Sequence, residues 1–425
     1  MIQDSYNKIS IREMFDFLSQ GKIYLIIELV LFFLYALNIG FGDIILGLAL
    51  LVLALAPIES AMAIYIFSFV WSQVAVFSFG ITFSLVASLL FLVKYLLYFQ
   101  KLRINTIESI FLVFLIALGI YNYLGYSSLT GVSIAVYFFD AVLIYSILDD
   151  DNLKIRYTLF ALVFLMITIG YIEAAIYGFT SGNSLARWVS GFGYATQLYG
   201  TLGTTRFAIY GIVGMIYPLF YAKNAIFKWG IFALFSIGVF MSVSITAIVT
   251  WGIFVLYYFF LCMPIKKFLR NVVIGIVILA AIVALWGTIS KIPLIEPIAL
   301  RINSTISELV AGDVDSATTG RLELAESYLT KFENASILNK TFGSGYLGLD
   351  TSVSDHYAHN TYVDMLNYWG IFGCIVYLIY QICKLCQYHG TYEFQPMLIV
   401  KVVFTISVAS VSVFSTQYFQ GLIML

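Results

Sequence analysis

Apolar and polar positions alternate along this chain on a scale of about twenty residues, not of two or four. Apolar runs recur at 23–41, 43–57, 60–79, 81–99, 107–126, 130–148, 157–179, 205–222, 226–244, 246–263, 271–290, 361–383 and 396–415. A helix of about twenty residues rises ~30 Å, the thickness of the hydrocarbon core of a bilayer. The short alternating segments of an outer-membrane barrel are absent. The pattern predicts an all-α polytopic membrane protein of about 13 transmembrane helices, within a range of about 12–14. The runs within 23–57 and 226–263 lie close enough to read as helical hairpins. The segments divide the chain into a polar piece 1–22, transmembrane helices over 23–179, a first polar loop 180–206, further helices over 205–290, a long polar loop 291–360 and a C-terminal transmembrane region 361–425.

Composition narrows the class without altering it. At 61% hydrophobic and 11% charged residues, the chain does not read as a soluble globule. A formal net charge of −1 offers nothing to nucleic acid. Residues 1–22 are polar and mixed, and many apolar runs follow the first, which is therefore read as an anchor and not as a cleaved signal. The numerous Tyr and Phe suit lipid-facing surfaces and interface belts. Four cysteines, Cys262, Cys374, Cys383 and Cys386, lie in or beside apolar runs; the Cys383-x-x-Cys386 pair with His389 lacks a second pair, so free thiols are expected and no metal.

The distribution of Lys and Arg orients the spans. With residues 1–22 cytoplasmic, one side collects Lys8, Arg12, Lys22, Lys94, Lys101, Arg103, Lys154, Arg156, Lys223, Lys228, Lys266, Lys267, Arg270, Lys384 and Lys401. The other side carries Arg187, Arg206, Lys291, Arg301, Arg321, Lys331 and Lys340, most of them in one long loop where the bias counts little. The N-terminus is thus expected inside, and the loops 180–206 and 291–360 outside.

The long loop has internal pattern. Ser304–Leu309 reads as a short amphipathic piece before a turn at Ala311-Gly312-Asp313. Arg321 to Phe332 sets Leu322, Ala325, Tyr328, Leu329 and Phe332 at helical spacing, which predicts a helix lying on the bundle with Arg321 in its first turn. Asn334, Gly343 and Gly345 interrupt it. Asn303-Ser-Thr305 and Asn334-Ala-Ser336 match the N-glycosylation pattern, a coincidence in a bacterial chain.

Candidate chemistry gathers where this loop ends. His356 and His359 are two of only three histidines, and His359-Asn360 precedes the apolar run from Tyr362. Asn360 is placed to cap that helix, which sets His359 at its outer end, where a neutral imidazole takes a proton from a hydroxyl. The plain alternative is a cap beside an interfacial histidine. Arg187, Arg206 and Arg321 are sparse positive charges on the outer side, and guanidinium groups bind phosphate oxygens bidentately. Together these parts suit a lipid diphosphate held beside a general base; singly, each arginine reads as a headgroup anchor. Within the spans, Glu28, Asp140 and Glu173 are the ionisable candidates. Glu173 either pairs with an arginine of 180–206 or sits in water at headgroup level. Asp140 is expected to hydrogen-bond a Tyr or Asn on a neighbouring helix, and Glu28 to snorkel to the inner surface.

These residues resemble a known family. Thr319-Gly320-Arg321, Gly343-Ser-Gly345, His359-Asn360-Thr-Tyr362 and Gly370-Ile-Phe-Gly373, in that order after a long outer loop, resemble the O-antigen ligase and polymerase superfamily. Arg187-Trp-Val-Ser-Gly191-Phe-Gly193 in the first loop, with Arg187 followed after fifteen residues by Gly203, is similar to the periplasmic motif of Wzy-type polymerases. The second such motif departs from the pattern: at that spacing Arg321 meets Ile337, and the nearest glycine is Gly343. The resemblance implies a bundle like that of C-type glycosyltransferases, acting without metal or other cofactor on undecaprenyl-diphosphate-linked oligosaccharide at the outer face of the bacterial cytoplasmic membrane. It implies polymerisation of repeat units for capsule, exopolysaccharide or O-antigen, with ligation of glycan to lipid A core as the alternative and partners among flippases and chain-length regulators. On this reading Arg187 and Arg321, supported by Arg206, hold the donor diphosphate and His359 is the base. Asn360 orients His359. His356 is a second candidate base or, with Asp355, lines the acceptor groove, and Tyr346, Tyr357 and Trp188 stack on sugars or belong to an aromatic belt. Outside this class stand a lipid-linked oligosaccharide transporter, which would show internal repeats and polar groups at mid-membrane, and a non-catalytic scaffold.

Overall fold

The computed structural model describes residues 21–36, 40–71, 75–98, 104–126, 204–242, 244–262, 284–291, 296–317, 320–345, 360–387 and 394–408, with isolated positions and short runs within 132–168, 269–281 and 389–390. Those residues are mostly helical, and no strand occurs among them beyond one isolated bridge between Val76 and Thr82. The expected all-α character is therefore observed. Two helices, over Thr106–Leu124 and Thr361–Cys386, are long and apolar enough to cross a membrane, and six further apolar helices are shorter, at 10–17 residues.

Helices α1 (Lys22–Ala36), α2 (Gly42–Leu55), α3 (Ile58–Trp71) and α4 (Phe83–Tyr98) follow the first four apolar runs. Three of them bury one face, with Leu25 and Phe32 of α1, Leu46, Ala49 and Leu53 of α2, and Ala87, Phe91 and Tyr95 of α4, while α3 is buried all round over Ala61 to Tyr65. Small residues on α2 and α3 let the backbones approach closely. Helix α5 (Thr106–Tyr126) opens with a capping box, in which Asn105 and Glu108 accept each other's backbone N–H at 2.8 Å.

The expected single run 205–222 is instead two helices, α6 (Thr204–Gly214) and α7 (Ile216–Tyr221). Pro218 explains the interruption, since it lacks an N–H and its ring crowds the carbonyl of residue 214. Helix α8 (Ala225–Met241) starts at Asn224, whose side chain accepts from the N–H groups of Ile226 and Phe227, and α9 (Ile245–Cys262) returns beside it. Most of the buried side chains of α1–α4 and α6–α9 join with Ile399 and Val403 of α16 (Phe394–Val408) in one apolar cluster.

Helix α10 (Trp286–Ile289) lies at the end of the apolar run 271–290, and the described residues of the long loop are largely helical: α11 (Glu296–Val310), α12 (Val314–Ala317), α13 (Arg321–Asn334) and α14 (Ile337–Phe342). The amphipathic piece expected over 304–309 is part of the longer α11, and the turn after it falls at Ala311-Gly312 as expected. Helix α15 (Thr361–Gln387) is the longest and is interrupted at Gly370. A second apolar cluster joins α5 and α15 through Phe111, Leu115, Met365, Tyr368, Trp369, Val376 and Tyr380.

Several charges sit elsewhere than expected. Glu28 does not snorkel: it is fully buried, because it stands on the stripe of α1 that carries Leu25 and Phe32 into the cluster. Lys94 and Lys384, read as loop charges, are buried too. Lys94 Nζ donates to the carbonyls of Leu53 and Ala54 and closes the C-terminus of α2. Lys384 pairs with Glu108 at 2.6 Å. Asp140 meets its expectation by accepting a 2.7 Å hydrogen bond from the Tyr65 hydroxyl, which also meets Ser88 Oγ at 2.8 Å.

Candidate functional site

The start of α15 is set by Asn360. Its Oδ1 accepts from the backbone N–H of Tyr362 at 3.0 Å and of Val363 at 3.4 Å, and its carbonyl accepts from Asp364 at 3.0 Å. This is the cap expected from sequence, and it fixes the helix end immediately after His359.

Ten residues further on, at Gly370, the backbone takes φ 65° and ψ −176°, a conformation essentially restricted to glycine. With the ladder interrupted there, carbonyls of α15 find partners in the turn that follows α14. Ser344 donates to the Asn367 carbonyl through both its N–H and its hydroxyl, at 2.9 Å each, and the Gly345 N–H donates to the Tyr368 carbonyl at 3.0 Å. Gly343 is also in a glycine-restricted conformation, φ 84° and ψ 167°. A Cβ on Gly343 would collide with the backbone of Tyr368, and one on Gly370 with the backbone of Gly343 and Thr341. The glycines quoted for the family resemblance thus form a backbone-to-backbone clasp between the end of the long loop and the middle of α15. Asn122 of α5 and Phe114 pack where Gly345 and Gly373 lack side chains.

Helix α13 packs on the first half of α15. Ala325 and Tyr328 form a small buried cluster with Val363, and Asn367 Nδ2 donates to the Tyr328 carbonyl at 3.1 Å. Of the apolar positions expected to face the bundle, Ala325 and Tyr328 do so, while Leu322 and Leu329 are exposed. Gly320, in the left-handed conformation, turns the chain into α13 and places Arg321 first on it. Arg321 is half-buried; that desolvation, with the Arg301 guanidinium nearby, holds its pKa below the usual arginine range. Burial likewise lowers Lys331.

The crossing brings Arg321 near the helix start. Arg321 is four residues before Ala325, and Asn360 three before Val363, on helices in contact at those very residues. At ~1.5 Å per residue and an interaxial distance of ~10 Å, the two backbones lie within roughly 20 Å.

Of the other sequence-predicted residues, Arg206 lies in α6, separate from this crossing in the chain. Glu173, Arg187, Trp188, Tyr346, Asp355, His356, Tyr357 and His359 lie outside the described residues. The last five belong to 346–359; the described residues on either side are the Gly343–Gly345 turn and Asn360. Sequence reasoning passed over Asp364, Asn367 and Asn122, all buried at this site. Their signal was an acid or amide inside an apolar run, the criterion applied to Asp140 and not to them. Cys374, Cys383 and Cys386 are free thiols, and among the described residues no group of three or more His, Cys, Asp or Glu could hold a metal ion.

No protein-family profile matches the chain, and comparison with curated proteins gives no significant match.

Proposed function

We propose that the chain is a polytopic protein of the bacterial cytoplasmic membrane, with about 13 spans and a cytoplasmic N-terminus, that polymerises undecaprenyl-diphosphate-linked oligosaccharide repeat units on the outer side. The observation that supports this reading is the packing of α13, which begins at the partly desolvated Arg321, on the first turns of α15, whose cap Asn360 follows His359 in the sequence. An anionic diphosphate suits Arg321, with Arg187 and Arg206 as further cations. His359 takes the proton of the acceptor hydroxyl as that oxygen attacks C1 of the donor sugar from the face opposite the diphosphate. The C1–O bond to phosphate breaks, its electron pair leaves with the diphosphate, and the anomeric centre inverts. Arginine charge offsets what develops on the leaving group.

The test is polymerisation by purified protein in liposomes supplied with the native repeat unit on undecaprenyl diphosphate. Wild type yields a ladder of glycan lengths. His359→Ala lowers the rate by about 10²–10⁴, the usual contribution of a general base. A full ladder from folded His359→Ala removes that residue from the mechanism. If the wild type makes no ladder and instead transfers glycan to added lipid A core, the protein is a ligase.

A further inference from the structure

The side of α14 turned away from the protein is the apolar one. Ile337, Leu338 and Phe342 are exposed, at 84%, 68% and 46%, while Asn339, Lys340 and Thr341 between them are half-buried. The polar groups are satisfied locally: Thr341 Oγ1 donates to the Ile337 carbonyl, and Ser336 Oγ caps the helix by accepting from Asn339. The neighbouring α13 exposes Glu323, Glu326 and Glu333 beside Leu322 and Leu329, a mixed surface rather than an apolar one. A change from mixed to apolar exposure within a few residues, at Ser336, marks a change of surroundings.

The apolar patch is continuous with others. The Phe342 ring meets Phe372 at 5.6 Å, and Phe372 meets Phe114 of α5 at 5.5 Å. Beyond the break, α15 exposes Ile371, Phe372, Ile375, Leu378, Ile379 and Ile382, whereas before it nearly every side chain is covered by protein. The break itself lies ten residues past Asn360, about 15 Å along a helix of 27 residues. That is a little over a third of its length. Irregular backbone is tolerated at membrane depth only when its polar groups are satisfied by protein, and the hydrogen bonds of Ser344 and Gly345 meet that condition.

We propose that α14 and the Gly343–Gly345 turn form a re-entrant element, with Ile337, Leu338 and Phe342 immersed among phospholipid acyl chains and the turn seated in the break of α15. The long loop is then not wholly in water: α13 lies at the headgroup level and α14 dips below it. Lys340, in the last turn of α14, extends upward to headgroup phosphates. This inference rests on the reading of α15 as a membrane span.

The experiment reconstitutes the full-length protein in vesicles containing a phospholipid with a mid-chain diazirine, followed by photolysis and peptide mapping by mass spectrometry. Adducts are expected on Ile337, Leu338 or Phe342 and on Ile375 or Leu378, with none on Glu326. Adducts on Ile375 or Leu378 without any over 336–345 overturn the re-entrant element and leave the spanning helix standing. Absence of adducts on both stretches, with labelling of both by a water-soluble carbene source, removes the spanning reading and the re-entrant element together. Leu338→Asp adds a second readout: it is expected to abolish lipid adducts on α14 while those on Leu378 persist, and unchanged α14 labelling in this variant counts against immersion.

Discussion

The two larger buried clusters among the described residues are held in different ways. Around α1–α4, side chains bridge the helices: Tyr65 reaches Asp140 and Ser88, and aromatic rings fill the spaces, as in the 4.8 Å stacking of Tyr65 on Phe91. Around α15, backbone meets backbone, and the contact exists because side chains are missing at Gly343 and Gly370. Side-chain packing tolerates adjustment, since rotamers shift and volumes trade. A backbone clasp has no such freedom. It therefore fixes position, and the position it fixes is that of the Gly343–Gly345 turn against α15. The contrast separates a region built for cohesion from one built for placement.

The clasp should break hardest. Gly370→Ala combines backbone strain with buried carbonyls left unpaired, roughly 5 kcal/mol in all; thermal unfolding in detergent measures it, with Gly230→Ala, where a Cβ meets open space, as the neutral control. Equal midpoints for the two variants would erase the distinction drawn here. Next comes the Glu108–Lys384 pair. Removing one partner, as in Lys384→Met, strands a buried charge at a cost of about 3–5 kcal/mol, while Glu108→Leu with Lys384→Met together recovers most of it. A double variant as unstable as the single one would show that the pair does more than satisfy itself.

Within the side-chain cluster, Tyr65→Phe takes the hydroxyl from Asp140 and should cost about 2 kcal/mol, less than the clasp because neighbouring groups can turn toward the carboxyl. The smallest effect should be of opposite sign. Glu28 is fully buried, and among the described residues neither of its carboxyl oxygens has a hydrogen-bond partner. Glu28→Leu is expected to raise the unfolding midpoint by the equivalent of about 1 kcal/mol. A fall of that size would mean that Glu28 contributes something to the cluster that packing does not reveal.

What was legible in the sequence was local. The Asn360 cap, the helix from Arg321 with Ala325 and Tyr328 inward, the turn at Ala311-Gly312 and the hydrogen bond of Asp140 to a tyrosine all follow from short-range pattern and from the cost of a buried acid. The interruption of α15 was not legible, because a glycine in an apolar run reads as a tolerated small residue until the partner that fills the break is known, and that partner is more than twenty residues away. Glu28 was misplaced for a related reason: its distance from the helix end permits snorkelling, and only the packing of α1 on its neighbours decides against it. The exposure of Ile337, Leu338 and Phe342 also lay beyond pattern, since a six-residue helix is too short to show a face.

The clasp also bears on how the chain is made. Residues 343–345 leave the ribosome ahead of the break they fill, and the apolar half of α15 emerges after it. Until the Gly-Ser-Gly turn docks, the carbonyls of Asn367 and Tyr368 enter the apolar environment without their partners, a state that costs several kcal/mol per group. On the proposed reading of α15 as a membrane span, the turn must consequently accompany it into place, so that the helix inserts together with its plug.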